Sequence, residues 1–289
     1  MRPRSVRPPA GLVAGLLVTL AACADAPRPI AVIGHRGASA DAPEHTFASW
    51  DRAVADGADW LEFDLQRTAD SVLVVLHDDA LDRTARGPTP ACTGLVRARA
   101  RAELAACDVA RWFRERHPEA TWVDTIDGRI PTLDEILVRY RAHALYIELK
   151  SPESAPGMVE QFLAALERHG WLATAEARDR LLVQSFSPGA LQRVHARVPG
   201  LRLIQLVGDS IPEAAVEPTL DSIARYAAGI GPSGRILTPR LLAAAHAKGL
   251  LVHVYTVNEE AQMRALIAAG VDGMFTDRPG LLRRVLAAR

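Results

Sequence analysis

Leu61-Glu62-Phe63-Asp64-Leu65 alternates apolar and acidic side chains with a period of two. Read as a strand, it carries Leu61, Phe63 and Leu65 on one face and Glu62 and Asp64 on the other. In a closed barrel wrapped by helices the apolar face must meet the helices, which turns both carboxylates inward. Two inward carboxylates are costly unless they are paired with cations or bound to a metal. Tyr146-Ile147-Glu148-Leu149-Lys150 repeats the pattern, with Glu148 and Lys150 opposite Ile147 and Leu149. Three inward carboxylates and one inward lysine are therefore expected.

Outward from this stretch, short apolar runs alternate with segments of helical period from Ile30 onward, as in βα units building a parallel sheet. Candidate strands are 30–34, 60–66, 72–77, 145–150, 181–186, 202–207, 250–257 and 273–277. Eight strands predict an α/β fold of the TIM (β/α)8 type. The run 72–77 follows its predecessor after only five residues, too few for a crossover helix, so the barrel begins with a hairpin or an irregular segment. Residues 225–234 offer another strand and leave the count open. Phe47, Trp50 and Val54 share one helical face, as do Leu133, Ile136, Leu137 and Tyr140, and as do Met263, Leu266 and Ile267. Those stripes are core packing. Thr132 and Glu135 form a capping-box pattern at the start of the second of these helices. Residues 79–129 break the rhythm with Pro, Gly, Cys92, Cys107, Trp112, Phe113 and Trp122, and read as an insertion between an early strand and the following helix, over one barrel face.

Gly34-His35-Arg36-Gly37 ends the first apolar strand and Leu76-His77-Asp78-Asp79 ends another. Strand ends are where barrel enzymes keep their sites. His35 and His77 suit general acid and base work, because an imidazole titrates near neutrality. The other seven histidines, His45 and His253 among them, read mostly as surface residues. Converging carboxylates suit one hard divalent cation, Ca2+ or Mg2+, rather than zinc, which favours more His or Cys. The competing reading is a buried salt-bridge network of Glu62, Asp64, Glu148, Lys150 and Arg36.

Thirty-four basic residues balance thirty-four acidic ones, so no net field favours nucleic acid. Only Lys150 and Lys248 among the basic residues are lysines, which singles out each of them. Residues 1–26 read as an export signal and short linker, with Arg2, Arg4 and Arg7 before an apolar stretch. Leu20-Ala21-Ala22-Cys23 resembles a lipobox in which Cys23 is lipidated; the competing cleavage site is Ala24-Asp25-Ala26. Export to the cell envelope, anchored by lipid or secreted soluble, would place Cys92 and Cys107 in an oxidising compartment. There they form either a disulfide or two free buried thiols.

The full set of motifs resembles the glycerophosphodiester phosphodiesterase family. Gly34-His35-Arg36-Gly37, Pro43-Glu44-His45-Thr46, Glu62-Phe63-Asp64, His77-Asp78, Pro131-Thr132-Leu133, Glu148-Leu149-Lys150, Gln184-Ser185-Phe186, Tyr255-Thr256-Val257-Asn258 and residues 272–279 follow the family order through residues 27–289. Two positions depart from it. His45 stands where Asn is usual, which touches a hydrogen bond near Glu44, and Tyr255 stands where Trp is usual, in an aromatic wall for the alcohol group. The resemblance implies metal-dependent hydrolysis of a glycerophosphodiester to sn-glycerol 3-phosphate and an alcohol. Glu62, Asp64 and Glu148 would hold the metal and His35 and His77 would move protons. Arg36 and Lys150 would bind the phosphate, with Glu44, Gln184 and Tyr255 in support. Rival readings are a lipid phosphodiesterase on the same barrel, of lysophospholipase D or phosphoinositide-type phospholipase C activity, with the aromatics of the insertion serving head groups or acyl chains, and a non-catalytic envelope binding protein.

Overall fold

A computed structural model describes residues 29–288; Cys23 and the rest of the export-signal reading lie outside them. Nine strands form one sheet: β1 (Ala31–Gly34), β2 (Trp60–Arg67), β3 (Leu73–Val75), β4 (Ala144–Leu149), β5 (Leu181–Ser185), β6 (Arg202–Val207), β7 (Gly229–Pro232), β8 (Leu251–Val254) and β9 (Gly273–Thr276). All but β3 run parallel, and β1 pairs with both β2 and β9, so eight strands close into a TIM barrel with helices between them.

The run 72–77 is not a barrel strand. Its core, β3, returns antiparallel along β2 with Leu65 opposite Val75 and Arg67 opposite Leu73. The eighth barrel strand is β7, within the segment 225–234. This hairpin has a positional consequence. β2 overshoots the barrel, and β3 carries the chain back until the Leu76 amide donates to the Asp64 carbonyl at 3.1 Å. His77 thereby arrives beside the carboxylate face of β2.

Leu61, Phe63 and Leu65 face outward into the main core with Trp50, Leu133, Ile136, Leu137 and Tyr140. Trp50 is fully buried, meets Phe63 edge-on at 6.0 Å and donates its indole N–H to the Glu62 carbonyl at 3.1 Å. Truncating such a ring typically costs about 3–5 kcal/mol, so this contact helps fix the twist of β2 and the direction of its opposite face. Inside the barrel, Ile33, Tyr146, Leu182, Ile204 and Phe275 fill the floor. The helix Leu133–Arg139 starts with the expected capping box, Thr132 and Glu135 each satisfying the other's backbone N–H.

Residues 79–129 form the insertion over the mouth as a body with its own packing. Leu81, Val96, Leu104 and Val109 surround Cys92 and Cys107, which are joined by a disulfide with 5.4 Å between the Cα atoms. Trp112 and Phe113 pack with Val123 in a second small cluster. These two rings are buried within the insertion instead of facing a substrate cleft, because a segment this short must spend its aromatics on its own core.

Candidate active site

Glu62, Asp64 and Glu148 meet at the mouth, each offering an oxygen within 4.8 Å of the others. Register explains the convergence, since Asp64 on β2 lies directly opposite Glu148 on β4, which in turn lies opposite Gln184 on β5. All three carboxylates are buried, at 1%, 1% and 6% exposure. Burial and then the charges of Asp64 and Glu148 hold the Glu62 carboxyl well above its usual range, and burial and then Asp64 raise Glu148 in the same way. Asp64 moves the other way. Burial opposes its ionisation, but the hydrogen bond from His45 and the charges of Lys150 and Arg36 outweigh that. The negative charge therefore settles on Asp64 while its two neighbours favour protons. A divalent cation fits this donor set, because it would replace those protons with a single ion shared by three oxygens.

Arg36 and Lys150 border the cluster. The Lys150 Nζ is 3.1 Å from Glu148 Oε1, and the Arg36 Nε is 3.6 Å from Asp64 Oδ2. Arg36 adopts a left-handed backbone at φ 57°, which turns its own amide onto Glu62 Oε2 at 2.7 Å. Gln184 donates to Glu62 Oε1 at 3.3 Å, and its Oε1 is buried with no partner among the described residues.

Both histidines are backed by carboxylates. His35 Nδ1 donates to Asp277 Oδ1 at 2.6 Å, and Asp277 is itself held by Ser39 Oγ at 2.8 Å and Asn258 Nδ2 at 2.6 Å. Burial works against its ionisation, yet these bonds keep the Asp277 carboxyl down at about 2. His77 Nδ1 donates to Asp78 Oδ1 at 2.5 Å, and Arg83 grips Asp78 Oδ2 at 2.5 Å. Burial, with Arg36 and Lys150 nearby, pushes the His77 imidazole down to about 4 against the pull of Asp64. In each pair the carboxylate accepts from Nδ1, leaving Nε2 as the atom free for chemistry.

Several partners of the site were not assigned from the sequence. His45 is buried at 1%, not on the surface, and bonds Asp64 Oδ2 at 2.9 Å through Nε2. Its contact is thus to Asp64 and not to Glu44. His45 takes a left-handed backbone at φ 60°, a conformation in which both Asn and His are enriched, so it can replace the family Asn without strain. Glu44 is instead clamped by Arg83, with Nη1 at 2.9 Å and Nη2 at 2.6 Å, and by Arg36 at 3.1 Å. His253 is also buried, against the Tyr146 hydroxyl at 3.1 Å beneath the site. Asp277 follows the last strand directly, and its place at a barrel strand end was the signal that could have found it. Nothing in the sequence marks Arg83.

A cavity of about 490 Å3 opens over these groups, lined beside the acidic cluster by His35, Arg36, His77 and Lys150 and on the other side by Phe186, Leu206, Arg235 and Tyr255. Tyr255 stands edge-on to Phe186 at 6.1 Å and donates its hydroxyl to the Val207 carbonyl at 3.1 Å. The wall is therefore aromatic despite the change from Trp. None of the insertion's aromatics lines this cavity.

The profile of the glycerophosphoryl diester phosphodiesterase family matches residues 35–281, which span every group just described. The chain belongs to that family. A glycerophosphodiester phosphodiesterase of Bacillus subtilis is 38% identical over 260 residues, covering 90% of this chain and 87% of the relative. Another glycerophosphodiester phosphodiesterase, from Caldanaerobacter subterraneus, is 31% identical, covering 87% of this chain and 95% of its own. Among solved structures, an Oleispira antarctica phosphodiesterase in complex with the product sn-glycerol-3-phosphate superimposes with a TM-score of 0.74 at 27% identity, covering 90% of this chain and 97% of that one. The chain is thus a glycerophosphodiester phosphodiesterase, and the acidic cluster at its mouth could hold the divalent metal of this enzyme class.

Proposed function

We propose that this enzyme hydrolyses small glycerophosphodiesters to sn-glycerol 3-phosphate and an alcohol, with one divalent cation, Ca2+ or Mg2+, held by Glu62, Asp64 and Glu148. The observation that carries the reading is the buried three-carboxylate cluster set between two carboxylate-backed histidines in one cavity. The sn-glycerol-3-phosphate bound by the Oleispira antarctica relative supports the substrate class.

When bound, the cation would draw charge from a phosphoryl oxygen. Arg36 and Lys150 place fixed positive charge beside the same oxygens, where it is most useful as charge builds in the transition state. One imidazole, of His35 or His77, takes the proton of the attacking oxygen, that of water or of the glycerol 2-hydroxyl, as the new P–O bond forms; where the 2-hydroxyl attacks, water then opens the cyclic phosphate to sn-glycerol 3-phosphate. The other returns a proton to the leaving alcohol oxygen as the old bond breaks. Asp277 and Asp78 hold the rings in the tautomer this requires. Glu44 supports Arg36, Gln184 supports Glu62, and Tyr255 with Phe186 forms the wall against which the alcohol lies.

Trp112 and Phe113 are buried and Trp122, although exposed, does not line the cavity, so none of the insertion's aromatics supports a lipid phosphodiesterase, and an intact set of carboxylates and histidines speaks against a mere binding protein. Release of sn-glycerol 3-phosphate from glycerophosphocholine should stop on chelation and return with about one equivalent of Ca2+ or Mg2+. Glu62→Gln should abolish that titration. Chelator-resistant turnover would remove the metal from the reading, and faster turnover of lysophosphatidylcholine would replace the substrate. Export with lipid on Cys23 belongs to the same proposal, and an intact mass beginning at Pro27 would refute it.

A further inference from the structure

The catalytic cations are all committed. Arg36 is paired with Glu44 and Asp64, and Lys150 with Glu148. One further cation lines the cavity, Arg235, and it makes no ion pair among the described residues. It stands on the loop that follows β7. Around the closed barrel the order is β1, β2, β4, β5, β6, β7, β8, β9, so β7 lies diametrically opposite β2, the strand of Glu62 and Asp64. Arg235 thus faces the acidic cluster across the mouth.

Its loop is built to hold it there. The Gly234 amide donates to the Tyr255 carbonyl at 2.8 Å, and the Arg235 amide reaches Ser233 Oγ. A Cβ on Gly234 would meet the Gln262 amide nitrogen at 2.8 Å, so the glycine lets a neutral polar group lie against this loop beside the guanidinium. Asp209, from the loop after β6, acts electrostatically on Tyr255 with the sign opposite to that of Arg235, but forms no ion pair with Arg235 among the described residues. The cavity, at about 490 Å3, is in the range that holds a drug-sized ligand, larger than a glycerol phosphate. The space beyond the scissile phosphate is therefore bounded by an aromatic wall, an amide and an unpaired guanidinium.

We propose that Arg235, with Gln262, forms a subsite for the leaving alcohol that selects alcohols carrying a second phosphodiester and disfavours cationic ones. A planar guanidinium matches a phosphate with two parallel hydrogen bonds, whereas it repels a quaternary ammonium that the aromatic wall alone would attract. The inference rests on the phosphodiesterase reading of the same cavity.

The test compares kcat/KM on bis(glycerophospho)glycerol and on glycerophosphocholine, at low ionic strength, for the metal-loaded native enzyme, Arg235→Lys, Arg235→Ala and Arg235→Glu. The native enzyme should prefer the first substrate. Arg235→Ala should lower kcat/KM on it by about tenfold, the usual scale for one charge-assisted contact, and raise it on glycerophosphocholine as the repulsion of the ammonium is relieved. Arg235→Glu should invert the preference and Arg235→Lys should keep part of it, with the differences shrinking in high salt. An unchanged substrate ratio in Arg235→Glu overturns the subsite while leaving the phosphodiesterase reading intact. Turnover of neither substrate by the native enzyme removes both.

Discussion

Replacing Arg83 by Ala should weaken the protein by an amount that depends on pH, and the structure sets both sign and size. Arg83 donates twice to Glu44 and once to Asp78, and Glu44 is 9% exposed in its side chain. Burial alone would raise the Glu44 carboxyl, but the bonds from Arg83 and the charge of Arg36 hold it at about 2 instead of 4.5. That depression is worth about 3 kcal/mol in all. Arg36 supplies part of it and Arg83 is about one-third exposed, so we assign roughly half, about 1.5–2 kcal/mol, to Arg83. For a domain of this size that is a fall in Tm of about 5 °C. A carboxyl with a depressed pKa stabilises fully above its unfolded value and loses that contribution as pH falls toward the folded one. Asp78, also held low, has the same sign. Thermal melts of native and Arg83→Ala protein, both metal-free, should therefore differ most at pH 6–7 and by roughly two-thirds as much at pH 3, the remainder being lost as pH falls through about 2. The guanidinium also lies over the Trp112 ring at 5.8 Å. A Tm difference that stays constant from pH 7 to pH 3 would show that this packing, and not charge, is what Arg83 provides.

His35→Ala and His77→Ala should each lower kcat on glycerophosphocholine by about 10²-fold or more, the usual loss for a general acid or base, and native turnover by either would sink the two-histidine chemistry. Lys150→Arg should lose activity although charge is kept, because a compact ammonium 3.1 Å from Glu148 in a buried mouth leaves little room for a planar fork. Lys248→Arg should be silent, since Lys248 pairs with Glu217 and Asp221 on the outer surface. Near-native kcat/KM for Lys150→Arg would show that positive charge alone suffices.

Alternation made β2 and β4 legible, because a strand between a helical layer and an acidic mouth must separate its two faces. The same logic left the strand count open at two places, a hairpin at 72–77 and a further strand within 225–234, without deciding either. Val72 to Val75 is apolar and, apart from Leu73, β-branched, and it pairs along β2 as a hairpin, since an apolar run shows that it is buried but not which neighbour buries it. β7 is only Gly-Ile-Gly-Pro, with almost no β-propensity. Its glycines are there for closeness: a Cβ on Gly229 would sit 2.6 Å from the Leu251 carbonyl oxygen, and one on Gly231 would sit 2.7 Å from a Leu206 methyl. The site divides in the same manner. Residues that point inward from strands were readable from period and position. Residues that act by holding others, Arg83 on the insertion and His45 in its left-handed turn, have ordinary local sequence and acquire meaning only through contacts made across the chain.

Charge accounting connects that supporting layer to the chemistry. Six carboxylates surround the mouth, Glu44, Glu62, Asp64, Asp78, Glu148 and Asp277, against the fixed cations Arg36, Arg83 and Lys150 and, across the mouth, Arg235. Arg83 and Arg36 neutralise Glu44, while Asp78 and Asp277 are spent on orienting imidazoles. What remains is the cluster, in which Asp64 keeps its charge and Glu62 and Glu148 favour protons. A divalent cation that displaces those two protons leaves the net charge of the mouth unchanged. The supporting residues thus do more than brace the site: by consuming every other carboxylate, they leave a demand for positive charge that matches one dication and an entrance that does not repel a phosphodiester anion.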